Sequence, residues 1–173
     1  ALAPHALRAA CTALPAGVQL FTVRDALQRD LRSTLAKLHE IGIVEGELWN
    51  VERLVDDKLF GLGTAELQRA FAAAGVQIPI SHIGDELTNT GQIADVAHAL
   101  GIGMLVVASG YRRRDRSPIS PAELRQQLDR LAERLNQAGR EYRSHGLRFG
   151  YHNHEDEFAQ VDRKSTRLNS SHT

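Results

Sequence analysis

The chain has 173 residues, of which 42% are hydrophobic and 24% are charged, and this composition is typical of one globular unit with a core. Lys and Arg together number 21, as do Asp and Glu, so no net positive field would draw the chain to nucleic acid or to an anionic membrane. No apolar run reaches the length of a transmembrane helix. The single cysteine, Cys11, cannot close an internal disulfide, and no His/Cys cluster around it indicates zinc.

Residues 1–16 are rich in Ala and differ from everything after them. Small residues at this density resemble the end of a secretory signal whose charged and apolar parts would precede Ala1. An ordinary flexible leader explains them equally well. The compartment therefore stays open between cytoplasm and periplasm.

Apolar and β-branched runs predict five strands, which start near residues 17, 43, 76, 103 and 147. The first run is Val18–Val23, and the second extends from Ile43 to Trp49. The third contains Pro79, which a central strand tolerates only where the missing N–H falls at a bulge.

One helix is predicted between each pair of successive strands. Asp30 can cap the first helix and Gly42 can end it. The second begins at about Thr64 and stops at Gly75. The last opens with the capping box Ser120-Pro121-Ala122-Glu123. Its leucines recur at helical spacing: Leu124, Leu128, Leu131 and Leu135.

This alternation of strands and helices implies parallel strands with right-handed crossovers. An open doubly wound sheet would carry a Gly-rich phosphate turn after the first strand, whereas residues 23–26 contain no glycine. The alternative is a (β/α)₈ TIM barrel, which needs eight such units. We therefore predict an α/β fold that is a partial TIM barrel, with about four βα units and a fifth strand.

The end of the chain breaks this pattern. Residues 163–173 have one apolar residue in eleven and no face that a helix could bury. The segment also resembles a translated sequencing adapter. We expect native sequence to end near Asp162, so that residues 17–162 form the N-terminal part of a barrel.

The fifth strand ends in Gly150-Tyr151-His152-Asn153-His154. Residues i and i+2 of a strand point to the same face, so His152 and His154 can converge on one bound molecule. Imidazole titrates near neutrality, which suits proton transfer. Both histidines are candidate catalytic residues, and Asn153 either contacts substrate or holds the loop.

Two further candidates end neighbouring strands. Glu47, at the end of the second strand, could bind a substrate hydroxyl or act in catalysis; the alternative is a buried acid paired with a cation such as Arg24. His82 ends the third strand and could reach the same mouth. Gln19 and Arg24 flank the first strand and are candidate substrate contacts.

Four motifs in register with these strands resemble the sugar phosphate isomerase/epimerase family of the xylose-isomerase-like barrels. They are Gly17-Val18-Gln19-Leu20-Phe21-Thr22-Val23-Arg24-Asp25, Val44-Glu45-Gly46-Glu47-Leu48, Ile80-Ser81-His82-Ile83-Gly84, and Gly150-Tyr151-His152-Asn153-His154 with Glu157-Phe158. The resemblance covers residues 17 to 162.

The resemblance implies a site at the carboxyl ends of the strands, where acidic groups move a proton through an enediolate. It also implies a divalent metal (Mn, Mg, Co or Zn) held by two Glu, one Asp and one His. The main ligands are expected on later strands that this chain lacks. In many relatives the fifth strand supplies a Glu ligand, and Gly150 stands there in this sequence. Gly46 stands where the family usually has an apolar residue.

The full-length protein is therefore expected to isomerise or epimerise a small carbohydrate. Two alternatives stay open: a lyase or hydratase that acts on oxidised sugars in the same fold, and a barrel fragment without catalysis. An incomplete barrel would leave the first and fifth strands unpaired at their edges, which predicts homo-oligomers.

Overall fold

The computed structural model describes residues 14–84, 87–108 and 120–154. Most of the predicted leader and the whole predicted non-native tail lie outside these residues. Five strands are present: β1 (Ala16–Gln19), β2 (Ile43–Leu48), β3 (Gln77–Ile83), β4 (Met104–Val107) and β5 (Arg148–Tyr151). The α-helices are α1 (Arg24–Arg29), α2 (Leu31–Glu40), α3 (Thr64–Ala74), α4 (Thr90–Leu100) and α5 (Pro121–Ser144).

All five strands are parallel and lie in the order β1-β2-β3-β4-β5. Sequential neighbours with helical crossovers are the arrangement of a TIM barrel. The predicted α/β fold and partial barrel are therefore confirmed. Within the described ranges, no helix is long and apolar enough to cross a membrane.

The helix ends follow the sequence closely. Asp30 accepts a hydrogen bond from the Ser33 N–H at 3.0 Å and caps α2. Gly75 ends α3 with a φ of +70°, a conformation that glycine adopts without strain. The capping box of α5 forms as predicted between Ser120 and Glu123.

The first strand is shorter than predicted. The chain leaves the sheet after Gln19 and forms a 3₁₀ turn, Leu20–Val23, and then α1, which the sequence did not predict. The Gln19 side chain accepts a hydrogen bond from the Phe21 N–H, which caps this turn. Composition favoured a strand here, but a local side-chain bond took the backbone away from the ladder.

Pro79 lies at an irregularity of the β2–β3 pairing. Glu45 pairs with Gln77, but Glu47 pairs with Ile80, so β3 has one residue more than β2 across this step. A residue without an N–H is tolerated at such a bulge. The expectation for Pro79 is confirmed.

The core lies between the sheet and the helices. Leu48, Leu105 and Val107 of the strands are fully buried on that side. The other face of the sheet carries the partly exposed residues, including Glu47 and His82; we call it the inner face. Of the four leucines predicted on one face of α5, Leu131 is buried and the other three are half-buried.

Gly46 allows two core side chains to meet over β2. A Cβ at this position would lie 2.9 Å from Leu20 Cδ1 and 3.0 Å from Ile78 Cδ1. Any larger residue would therefore displace both. Leu20 and Ile78 fill the space over Gly46 that a side chain at this position would occupy.

We predict that Gly46→Ala lowers the free energy of unfolding by about 1–3 kcal/mol, because overpacking a closed core forces neighbouring side chains to move. Gly150→Ala is the control. Its Cβ would meet Met104 Cε at 2.6 Å, but this methyl ends a flexible side chain, so the loss should be less than about 1 kcal/mol. Urea unfolding of the full-length variants measures both values. Equal losses would contradict the packing argument.

Candidate active site

Glu47 and His82 form a hydrogen-bonded pair at the carboxyl ends of β2 and β3. Glu47 Oε1 lies 2.8 Å from His82 Nδ1, and the two side chains are 29% and 13% exposed. Both extend from the inner face of the sheet, because their neighbours Leu48 and Ser81 are buried on the opposite side. The acid that the sequence offered as a partner of Arg24 is paired with histidine instead.

His152 extends this pair across the sheet from the end of β5. Its Nδ1 lies 3.0 Å from His82 Nε2. The His154 ring stacks on the His152 ring, with centroids 4.7 Å apart and planes 11° apart. The His152 N–H donates to the Val107 carbonyl at 2.9 Å, which continues the β4–β5 ladder to this residue. Four side chains from three strand ends therefore converge.

The hydrogen bonds determine the tautomers along this chain. A carboxylate only accepts hydrogen bonds, so His82 donates from Nδ1 to Glu47. A neutral His82 then accepts at Nε2, so His152 must donate from Nδ1. The Nε2 of a neutral His152 is left without a proton, on an exposed side chain. The geometry therefore presents His152 Nε2 as a base.

Burial lowers the pKa of His82 below its ordinary value. The charge of Glu47 raises this pKa in part, and charge on His152 or His154 lowers it. The lowered pKa favours the neutral form of His82, which the assigned tautomer requires.

The remaining predicted residues lie beside this cluster. Gln19 pairs in register with Glu47, and its side-chain oxygen is occupied by the Phe21 N–H. The Arg24 guanidinium lies 4.3 Å from the centre of the Phe21 ring and donates to the Phe21 carbonyl at 3.0 Å. Asn153 is exposed.

An aromatic wall, formed by Phe21, Trp49 and Phe60, was missed by sequence reasoning. Trp49 packs edge to face against Phe21 and against Phe60, with centroids 5.5 Å apart in both pairs. Trp49 follows Glu47 by two residues, and this spacing was the available signal. Phe21 is 48% exposed, so the wall is accessible near the carboxyl ends of β1 and β2.

The described residues do not fit a metal centre. Within residues 14–84, 87–108 and 120–154 no three His, Cys, Asp or Glu side chains are grouped so that they could hold an ion. Both ring nitrogens of His82 are engaged. Gly150 has no side chain, and Met104 Cε occupies the space where its Cβ would begin.

Comparison with known proteins determines the family. A family model for the xylose isomerase-like TIM barrel matches residues 35–168. The chain belongs to this family. No curated protein matches it in sequence.

Solved structures of this family share the fold. A sugar phosphate isomerase/epimerase from Parabacteroides distasonis superposes with a TM-score of 0.67 and 20% identity over 95% of this chain and 63% of that one. The probable 3-DHS dehydratase AsbF from Bacillus anthracis has a TM-score of 0.55 and 12% identity over 79% of this chain and 51% of its own. A D-psicose 3-epimerase has a TM-score of 0.52 and 13% identity over the same shares. The chain thus spans 51–63% of the length of these relatives.

We predict that Glu47→Gln lowers the pKa of His82 further, because the burial penalty stays while the stabilising negative charge is lost. His152→Asn should raise the pKa, because the opposing charge is removed. NMR titration of the His82 ring in the full-length protein measures both shifts. Shifts of the same sign in the two variants would contradict the assigned electrostatics.

Proposed function

We propose that the full-length protein is a sugar isomerase or epimerase that moves a proton at the carbon next to a carbonyl group. The observation that supports this most is the hydrogen-bonded chain from Glu47 through His82 to His152 at the carboxyl ends of parallel strands, where TIM-barrel sites lie. The fold shared with a sugar phosphate isomerase/epimerase and a D-psicose 3-epimerase supports a small carbohydrate as the substrate.

In the proposed reaction, His152 Nε2 takes the proton from carbon. The electrons of the C–H bond form the C=C bond of an enediolate, and the carbonyl oxygen takes the negative charge. Positive charge appears on His152, where its Nδ1–H bond to His82 strengthens, and the Glu47 carboxylate stabilises His82 in turn. The hydroxyl proton on the deprotonated carbon then moves to the former carbonyl oxygen. His152 returns its proton to the former carbonyl carbon, which gives the isomer and a neutral His152.

Epimerisation needs the proton to return to the opposite face of the same carbon, which requires a second acid. The divalent metal implied by the family would likewise need ligands from outside the described residues. No step proposed here depends on it.

A lyase or hydratase acting on oxidised sugars is the second candidate. The proposed base, His152, is a histidine rather than a carboxylate. If it removed the same proton and a hydroxyl group then left the next carbon, the reaction would be an elimination. The AsbF structure, named as a dehydratase, shares the fold. The product distinguishes the two reactions: an isomer has the same formula as the substrate, whereas the elimination product has lost one water molecule.

We predict that His152→Asn slows exchange of the substrate's α-proton with D₂O about 10²–10⁴-fold, since a positioned base contributes about that much. The assay follows the C–H signal of candidate ketoses and keto-sugars by proton NMR, using the full-length protein with added Mn²⁺. His39→Gln, on the exposed side of α2, is the matched control. Unchanged exchange in His152→Asn would remove histidine from the proposed mechanism.

We predict that ligand binding changes the fluorescence of Trp49, the single tryptophan of the chain. Trp49 follows Glu47 by two residues and Phe21 is partly exposed, so an apolar sugar face would lie against this aromatic wall. Titration of the full-length protein with D-fructose measures the change, with any tryptophan outside this chain replaced by Phe. Phe21→Leu should weaken binding about tenfold by removing exposed aromatic surface. Binding without any change in Trp49 emission would place the ligand elsewhere.

A further inference from the structure

A half-buried acid lies behind the candidate site, on the core side of the sheet. Glu52 belongs to a 3₁₀ turn, Val51–Val55, which follows β2. Its Oε2 is fully buried and has no hydrogen-bond partner among the described residues. A buried polar atom without a partner opposes folding.

The other carboxyl oxygen lies against Gly84, just after β3. Glu52 Oε1 is 3.2 Å from the point where a Gly84 Cβ would lie. Burial raises the pKa of this carboxyl above its ordinary value, while the nearby backbone N–H groups of Glu52 and Gly84 lower it in part. Glycine at position 84 therefore permits a close polar contact that any side chain would crowd.

This contact joins the segment that follows Glu47 to the segment that follows His82. Glu52 follows Glu47 by five residues, and Gly84 follows His82 by two. The fully buried Ser81 hydroxyl donates to the His82 carbonyl at 3.0 Å, but this bond lies within β3 and does not tie the strand to another segment.

We propose that Glu52 is a positioning residue: its carboxyl lies against Gly84 and fixes the end of β3, so that His82 stays within hydrogen-bond reach of both Glu47 and His152. The inference rests on the proposed function. His82 makes bonds of 2.8 and 3.0 Å on its two sides, and a displacement of about 1 Å would break at least one of them.

Three variants in the full-length protein test this. Glu52→Ala removes the carboxyl that lies against Gly84. Glu52→Gln keeps an acceptor oxygen without the charge. Gly84→Ala leaves Glu52 in place, but its Cβ would press on the carboxyl. Glu40→Ala, on the exposed side of α2, is the control.

The primary measurement is the NMR signal of the His82 Nδ1 proton, which the bond to Glu47 protects from exchange with water. We expect the signal to persist in Glu52→Gln and Glu40→Ala, and its exchange to be at least about tenfold faster in Glu52→Ala and Gly84→Ala. Turnover should fall about tenfold or more in the same two variants, with KM unchanged.

A protected His82 signal in a folded Glu52→Ala variant would overturn the proposal, as would equal loss in the Gln and Ala variants. If Glu52→Ala does not fold, Gly84→Ala decides: a protected signal in that variant also overturns the proposal. Loss of the signal in a protein without proton-exchange activity would support the positioning role while the proposed function fails. Proton-exchange activity in a protein whose His82 signal stays protected in Glu52→Ala would support the proposed function, while the positioning role fails.

Discussion

The candidate site depends on the single extra residue in β3. Without it, the register that pairs Glu45 with Gln77 would continue to pair Glu47 with Pro79, and residues 79 and 81 would share the face of Glu47. The bulge shifts the pairing to Ile80, so His82 points to the inner face and Ser81 into the core. Proline at position 79 favours this arrangement because it cannot donate to a regular ladder. One residue therefore decides which strand-end side chain meets Glu47.

Given that face, the electrostatics of the cluster follow from its order. The Glu47 carboxylate can only accept a hydrogen bond, so the His82 ring donates to it. His82 in turn accepts from His152, which leaves the acceptor nitrogen of His152 for the proposed substrate. Burial keeps His82 neutral while Glu47 counteracts part of that effect. His152, the exposed ring, is the last member of this hydrogen-bonded series, where a substrate could reach it. The same side chains in another order would leave the base buried.

The sequence was sufficient for the fold because alternating periodicities, caps and stop glycines act locally, as at Asp30, Gly75 and Ser120. It located the strand ends, and with them Glu47, His82 and His152, but it could not pair them. The contact between His82 and His152 crosses β4 and joins residues 70 apart. The sequence also did not predict the early end of β1. There the hydrogen bond that the Gln19 side chain accepts from the Phe21 N–H outweighs the β propensity of residues 20–23. The aromatic wall had only a weak signal in the spacing from Glu47.

Glu52 shows a different limit. Nothing local distinguishes an acid in a loop that faces solvent from one that is buried, and Gly84 resembles any glycine after a strand. Only the packing distinguishes these two residues: the Glu52 carboxyl lies so close to Gly84 that a larger residue at position 84 would crowd it. The bulge determines which face His82 occupies, whereas the Glu52 contact limits how far its strand end can move. The proposed base, His152, depends on the two hydrogen bonds of the His82 ring. The bulge turns that ring toward Glu47, and the proposed Glu52 contact keeps it within reach of His152.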